Sequence, residues 1–202
     1  MTQLATANAA SAMTEQMLRT ALDGFGANEI NHHGRPLTEH LVGTWRLLMQ
    51  WQNPPIIALA GAFHSVYGTE EFKARALPLS KRPTLVALIG EEAEALVHLF
   101  GAADRKSLYN VPDAGPFSIA LPATGESVLI DGRTYSSLIE IEAANIVEQA
   151  MHQRGVPAHV VGFWIDAFES KRHCLSAGAM NAVEAVLAGY RAQAGSAPGP
   201  CS

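Results

Sequence analysis

The chain has 202 residues, of which 48% are hydrophobic and 16% charged, and its formal net charge is −5. This charge leaves no basic surface for nucleic acid or for an anionic membrane, and no apolar run approaches the roughly 20 residues of a membrane-spanning helix. The two cysteines argue against a disulfide scaffold, and the N-terminus lacks the features of a secretory signal. We therefore expect one cytoplasmic domain, with its oligomeric state, a homo-oligomer included, left open.

The first half of the chain is predicted to be helical. Thr14 is an N-cap residue for a first helix, and Pro36 follows a polar loop at the position where a second helix can begin. The third segment is polar only at His64 and Ser65, and a helix that is apolar on all sides belongs at the centre of a domain. The predicted helices span residues 14–23, 36–51, 56–67, 81–89 and 91–100.

The second half contains one break in this helical pattern. Residues 111–133 hold two short β-rich runs, which predict a small β-hairpin or an irregular excursion. Helices are then predicted over residues 134–154, 158–172 and 176–193. The fold class is therefore all-α: a single bundle of seven or eight helices over residues 14–193, with a flexible N-terminus at 1–13 and a disordered tail at 194–202.

Two of the eight histidines lie on neighbouring apolar helices. His40 falls at the edge of the apolar stripe of the second helix, and His64 lies on the central helix. Since a short turn joins these helices, they should run roughly antiparallel, and the two imidazoles can converge. Neutral imidazole is a common metal ligand, so the pair indicates either a shared metal ion or two hydrogen-bonded core histidines.

Two segments carry a family resemblance. EHLVGTWRLL, which contains His40, precedes LAGAFHSVYG, which contains His64, and this arrangement resembles the HD-domain superfamily. Those proteins pair a histidine on an early helix with a His-Asp dipeptide at the end of another helix, and a later helix supplies an aspartate. The segments HHGRPLTEHLVGTWRLL, LPLSKRPTLVALIGEEAE and IEAANIVEQ extend the resemblance, over roughly residues 30–150, to a family of uncharacterised HD-like proteins. The resemblance implies an HD-like helical bundle.

The same resemblance implies a metal site with altered ligands. His40 and His64 correspond to the two metal-binding histidines, whereas Ser65 stands where the superfamily has its metal-binding aspartate. The closing aspartate falls near IEAAN, where Glu142 or Asn145 is available. Fewer carboxylates disfavour a binuclear centre. We therefore expect a mononuclear site held by His40, His64 and Glu142, with one divalent Fe, Mn or Zn ion, or a pocket that binds no metal.

Four further residues are candidates for contact with a substrate. His33 can act as a general acid or base, and Arg35 can bind a phosphate or carboxylate through two hydrogen bonds, although both are also ordinary residues for an exposed loop. Tyr67 follows the central helix at a turn that rims the pocket in an HD-like fold. Asn145 belongs to a polar stripe, on the long helix 134–154, that either lines a pocket or is solvated.

Two functions remain open. The first is a small-molecule metalloenzyme, hydrolytic or oxygen-dependent, with a mononuclear histidine-based site. The second is a metal-free HD-like protein that binds a small ligand or performs acid–base chemistry through His33, His40 and His64. The metal content of the purified protein separates the two.

Overall fold

The structure is a computed structural model, and it describes residues 13–153 and 156–195. Most of the predicted flexible N-terminus, and the tail from residue 196 onward, lie outside the described residues. None of the helices within the described ranges combines the length and the apolar character that a membrane crossing requires.

The predicted all-α class is confirmed, with nine α-helices in the described part of the chain rather than seven or eight. Two antiparallel hairpins complete the fold. The helices are α1 Glu15–Gly24, α2 Leu37–Gln50, α3 Pro55–Phe63, α4 Arg82–Ile89, α5 Glu91–Ala102, α6 Arg105–Tyr109, α7 Gly132–His152, α8 Ala158–Ser170 and α9 Ala177–Gly195. The strands are β1 Asn31–His32, β2 Arg35–Pro36, β3 Phe117–Leu121 and β4 Glu126–Ile130.

Side-chain caps explain where several helices begin. The hydroxyl of Thr14 accepts a hydrogen bond from the Met17 amide (3.3 Å) at the start of α1, as its sequence position predicts. The carboxylate of Asp131 accepts one from the Thr134 amide (2.7 Å), so α7 begins at Gly132, two residues before the predicted start. Asp104 caps α6, a helix of only five residues that is too short to show a hydrophobic period.

The predicted hairpin between residues 111 and 133 is formed by β3 and β4. A second hairpin, β1–β2, occupies the segment that the sequence indicates to be a polar loop. Its two turn residues, His33 and Gly34, both have positive φ angles (55° and 87°), which suit the tight turn of a two-residue β-hairpin. The side chain of Asn31 accepts a hydrogen bond from the Gly34 amide (2.9 Å) and holds this turn closed.

The central position predicted for the third helix is confirmed. Residues 58–63 of α3 are fully buried, and α3 packs against α2, α5 and α7. The packing is close at Gly61, where a Cβ atom would lie 2.1 Å from Leu48 Cδ1 of α2. However, α3 ends at Phe63 instead of continuing to residue 67, because the chain turns back there through a hydrogen bond from the Val66 amide to the Phe63 carbonyl (3.0 Å).

Candidate functional site

Helices α2 and α3 bring the two predicted histidines together. His40 lies in the first half of α2 and is fully buried, and His64 caps the C-terminal end of α3 with 3% of its surface exposed. Their Nε2 atoms are 3.3 Å apart. Because His64 sits where α3 ends rather than inside the helix, its ring can reach both α2 and the space beyond the helix end.

A buried carboxylate stands behind His40. The Nδ1 atom of His40 lies 2.5 Å from Oε2 of Glu148, and a guanidinium nitrogen of Arg35 donates to the same oxygen. Burial raises the pKa of Glu148, but the hydrogen bonds from His40 and Arg35 outweigh it, so this pKa is lowered and Glu148 is ionised at neutral pH. We call Glu148, His40 and His64 the histidine chain.

Glycine at position 43 makes room for this carboxylate. A Cβ atom on Gly43 of α2 would lie 2.5 Å from Oε1 of Glu148, so any larger residue would displace the Glu148 side chain. This Oε1 atom lies 3.2 Å from Nδ1 of His152, but that nitrogen is placed to bond the Glu148 carbonyl oxygen instead (2.9 Å). The Oε1 atom is consequently buried without a hydrogen-bond partner.

Hydrogen-bond partners assign the protons of the two rings. Nδ1 of His64 faces the carbonyl oxygen of Gly61 (2.8 Å), which accepts only, so Nδ1 carries a proton. Nδ1 of His40 faces the carboxylate of Glu148 and carries a proton for the same reason. Burial, followed by the charge of His40, lowers the pKa of His64 well below its ordinary value, which leaves its Nε2 as a lone pair directed at His40.

A third imidazole extends this cluster. The ring of His32 stacks on that of His40 at a centroid distance of 4.3 Å and meets Phe72 edge-on. His32 is 5% exposed, and neither of its ring nitrogens has a hydrogen-bond partner. Burial, and then the charge of His40, lower the pKa of His32 to about 3, so this ring is neutral at physiological pH.

A polar cavity of about 420 Å³ borders the cluster. Its wall includes His32 and His64, and also Ser65, whose buried Oγ has no hydrogen-bond partner. Glu71, also at this cavity, is an exposed residue overall, but its carboxyl group is partly shielded from solvent, and this burial and the nearby carboxylate of Glu142 raise its pKa. The other lining residues are His33, Thr69, Phe72, Phe100, Arg105, Asn145, Gln149, Gln153, Val156, Pro157, Val160 and Trp164. We refer to this space as the polar cavity.

The predicted third metal ligand belongs to a different network. Glu142 accepts hydrogen bonds from the hydroxyl of Tyr109 (2.7 Å) and the side-chain amide of Asn145 (3.2 Å), and the Arg105 guanidinium lies 3.6 Å away. The carbonyl oxygen of Asn145 in turn accepts from the amide of Gln149 (2.7 Å). Glu142 and Asn145 are both buried, so this part of the polar stripe on α7 faces the interior and is not solvated.

Of the remaining predicted site residues, some lie at the polar cavity and others do not. His33 lies at the polar cavity, where its Nδ1 accepts a hydrogen bond from the amide of Gln153 (2.7 Å), and burial lowers its pKa. Arg35 is bound to Glu148 and is not part of the cavity wall. Tyr67 lies apart from the polar cavity: its buried hydroxyl donates to Glu94 (2.9 Å), and the residue lines a separate cavity of about 340 Å³.

The predicted metal-ligand set is not assembled in one place. Within residues 13–153 and 156–195, no group of three or more His, Cys, Asp or Glu side chains has the geometry to hold a metal ion. His40 and His64 meet, but Glu142 is held by Tyr109 and Asn145, and the carboxylate nearest to the pair, Glu148, contacts the far side of the His40 ring. The residues present therefore supply two imidazole ligands and do not complete the predicted site.

A comparison with known protein families finds a match over part of the chain. Residues 21–105 match a family described as a domain of unknown function (DUF6817). None of the curated proteins and none of the solved structures compared with this chain matches it. The matched range contains His32, His40 and His64 but ends before α7, so it covers the histidine side of the polar cavity and not the helix that carries Asn145 and Glu148.

Proposed function

We propose that this protein binds a small molecule in the polar cavity and performs general acid–base chemistry there without a metal ion. The observation that carries the proposal is the unbroken histidine chain, which runs from a buried carboxylate to a ring on the cavity wall. A histidine held by a carboxylate is a recurrent arrangement for moving a proton at neutral pH, because the carboxylate fixes the ring and stabilises its charged form.

The protons of the chain can be counted. Both Nδ1 atoms are bound to acceptors, so a hydrogen bond between the two Nε2 atoms requires one additional proton on the pair. Placed on Nε2 of His40, that proton would lie on the ring whose Nδ1 bonds the carboxylate of Glu148. Transfer to His64 moves the charge to the ring that lines the polar cavity, where a ligand could receive it.

The surrounding charges make such a buried proton tolerable. Glu148 is shared by His40 and Arg35, so the buried positive charge lies against a carboxylate and not against apolar groups alone. A ligand in the polar cavity competes with His40 for Nε2 of His64. This competition provides a physical route by which ligand binding and proton transfer are coupled.

The resemblance to the HD-domain superfamily is consistent with an HD-like fold whose site chemistry differs from that of the superfamily. Where that superfamily places aspartates, this chain has Ser65, and Asn145 lies near the second position. Both line the polar cavity. A cavity that has exchanged carboxylates for a hydroxyl and an amide attracts a divalent cation less strongly, which supports the metal-free version of the proposal.

The test uses protein purified without chelators. We expect less than stoichiometric transition metal by elemental analysis, and conversion of at least one compound from a metabolite library, followed by mass spectrometry. The variant His64→Gln should lose this conversion. His98→Gln is the matched control, because His98 is a half-buried histidine that lines the separate cavity beside Tyr67. Equal activity in both variants would contradict the proposal.

One distance favours a second candidate, a mononuclear metalloenzyme with hydrolytic or oxygen-dependent chemistry. Two nitrogens that each lie about 2.0–2.1 Å from a tetrahedral ion are about 3.3 Å apart, and the Nε2 atoms of His40 and His64 have this separation. Their Nδ1 protons are held by a carboxylate and a carbonyl, as is usual for metal-binding histidines. Stoichiometric iron, manganese or zinc that is lost in His64→Gln would establish this candidate instead.

A further inference from the structure

Two buried polar side chains at the polar cavity have no partner. Both nitrogens of His32 and the hydroxyl of Ser65 lack hydrogen bonds, although each residue is at least nine-tenths buried. An unpartnered buried polar group costs about 1–3 kcal/mol, and most such groups in proteins are satisfied by some partner. Both residues line the polar cavity, so a molecule bound there becomes a candidate partner once their side chains turn toward it.

Most of the charged groups around the cavity already have ion-pair or hydrogen-bond partners within the protein. Arg35 is bound to Glu148. The Cζ atom of Arg105 lies over the ring of Phe100 (3.8 Å to its centroid), and the same guanidinium donates to the Phe100 carbonyl (2.9 Å) and approaches Glu142. The carboxylate of Glu71, which lines the cavity, repels an anion. A cation would in turn approach the guanidinium of Arg105. Neither sign of charge is therefore favoured in a ligand.

The unpartnered groups need donors and acceptors in equal measure. A neutral imidazole presents one N–H donor and one lone pair, and a hydroxyl can do both. A phosphate or carboxylate only accepts hydrogen bonds, so it would face the lone pair of His32 and leave it unsatisfied. An ammonium group only donates and would leave the His32 N–H unsatisfied. A group that does both, such as an amide, can pair with either kind of nitrogen of His32 and with the hydroxyl of Ser65.

The side-chain amides of the cavity wall have the same character. Asn145 donates one amide hydrogen to Glu142 and accepts one from Gln149, which leaves further amide hydrogens and lone pairs on both residues for a ligand. Phe72 and Trp164 add aromatic area to the wall. A volume of about 420 Å³ lies in the range of small-molecule sites.

We infer that the polar cavity selects an uncharged ring compound that carries both a hydrogen-bond donor and an acceptor, a cyclic amide or ureide, and that His32 and Ser65 contact it. This inference rests on the proposed function, since it names the ligand class of the same cavity. Ser65 and His32 reach the ligand by rotation of their side chains, because their polar atoms are buried beside the cavity and not exposed in it.

The test compares three probes of similar size by NMR titration of the full chain: uracil as the cyclic ureide, benzoate as the anion and benzamidine as the cation. We expect uracil alone to shift the resonances of His32, Ser65 and Asn145. Ser65→Ala should weaken uracil binding about 3- to 10-fold, the effect of one hydrogen bond. His32→Phe keeps the aromatic contacts, removes both nitrogens and should weaken binding at least as much.

The test includes a control variant, and different results would overturn the ligand class and the inference as a whole. His98→Phe, in the separate cavity, should leave uracil binding unchanged, and circular dichroism verifies that each variant is folded. Binding of benzoate or benzamidine in place of uracil overturns the ligand class while the proposed acid–base function stands. Absence of any shift at the cavity with all three probes overturns the inference, and the His64→Gln comparison then decides the proposed function separately.

Discussion

Two buried polar clusters of this protein differ in how completely their atoms are bonded. In the first, the carboxylate of Glu94 accepts hydrogen bonds from the Tyr67 hydroxyl (2.9 Å) and from two nitrogens of Arg82 (2.7 Å each), so both of its oxygens have partners. In the second, the histidine chain and the residues beside it, polar atoms of His32 and Ser65 have none. Glu94 and Glu148 are equally buried, with 2% of each residue exposed, but only Glu94 has hydrogen-bond partners on both oxygens.

The difference separates a structural network from a binding site. A saturated network stabilises the fold and gains nothing from a further molecule. An unsaturated one lowers stability, and proteins keep such groups where function requires them. Variants of the two clusters should therefore respond differently in both stability and ligand binding.

The largest expected effect comes from the carboxylate of the histidine chain. Glu148→Ala leaves His40 and Arg35 facing an empty buried space, and loss of one partner of a buried ion pair costs about 3–5 kcal/mol. Glu94→Ala should cost less, about 1–2 kcal/mol, because its partner Arg82 is 38% exposed and can turn to water. Urea-induced unfolding measures both. Equal losses would show that the two carboxylates play the same structural role.

A glycine pair tests the position of that carboxylate. Gly43→Ala places a methyl group 2.5 Å from Glu148 Oε1, and overpacking of this kind costs about 1–3 kcal/mol. Gly162→Ala is the matched control within α8, where a Cβ atom meets nothing within 4 Å, and it should instead stabilise the protein by about 0.5–1 kcal/mol. Thermal and urea unfolding should show these opposite signs. Stabilisation by both variants would contradict the close approach at Gly43.

The histidines of the second cluster predict sensitivity to mild acid. The pKa values of His32 and His64 are lowered by burial in the folded protein, so below about pH 6.5 the unfolded chain binds protons that the folded chain does not. Stability therefore falls as the pH falls, by about 1 kcal/mol for each histidine between pH 6.5 and 5.5. Nearby charges on His40, His33 and Arg35 act in the same direction, whereas Glu148 opposes it.

Urea titrations at several pH values measure this slope. His32→Phe should reduce it by about one proton, because a phenyl ring does not titrate. The lowered pKa of Glu94 affects stability only below its ordinary range near pH 4.5, so variants of the first cluster should keep the slope unchanged between pH 6.5 and 5.5. A slope that persists in His32→Phe would assign the effect to other groups.

The sequence predicts part of the second cluster and misses the rest for a physical reason. Helical phase and the short turn after α2 suffice to bring His40 and His64 together. Glu148 escapes detection because α7 is buried on nearly all sides, so its charged residues do not mark a solvent face, and because Arg35 lies 113 residues earlier in the chain. Only tertiary packing, including the space left by Gly43, shows what that carboxylate contacts.

Local patterns likewise leave the partners of Tyr67 and Glu142 undetermined. The run around Tyr67 continues the apolar character of α3, yet the helix ends at Phe63 and the turn directs Tyr67 toward Glu94. Glu142 accepts a hydrogen bond from the hydroxyl of Tyr109, which belongs to α6, a helix too short to be predicted. Helix positions follow from periodicity, whereas the partners of buried polar groups depend on contacts distant in sequence.

The smallest expected change in stability comes from a pair of serine variants. One serine is hydrogen-bonded within the protein and the other has no hydrogen-bond partner. Ser176 donates to Glu140 (2.5 Å) and accepts from the Ala179 amide (3.1 Å) at the start of α9, so Ser176→Ala should lower the free energy of unfolding by about 1–2 kcal/mol.

Ser65 has no such partner, and Ser65→Ala should leave that free energy unchanged or raise it by up to about 1 kcal/mol, because an unsatisfied buried hydroxyl is removed. The same variant should weaken uracil binding. A loss of stability in Ser65→Ala equal to that in Ser176→Ala would mean that the hydroxyl is bonded within the folded chain. The polar cavity would then lack the unsatisfied group from which its ligand class is inferred.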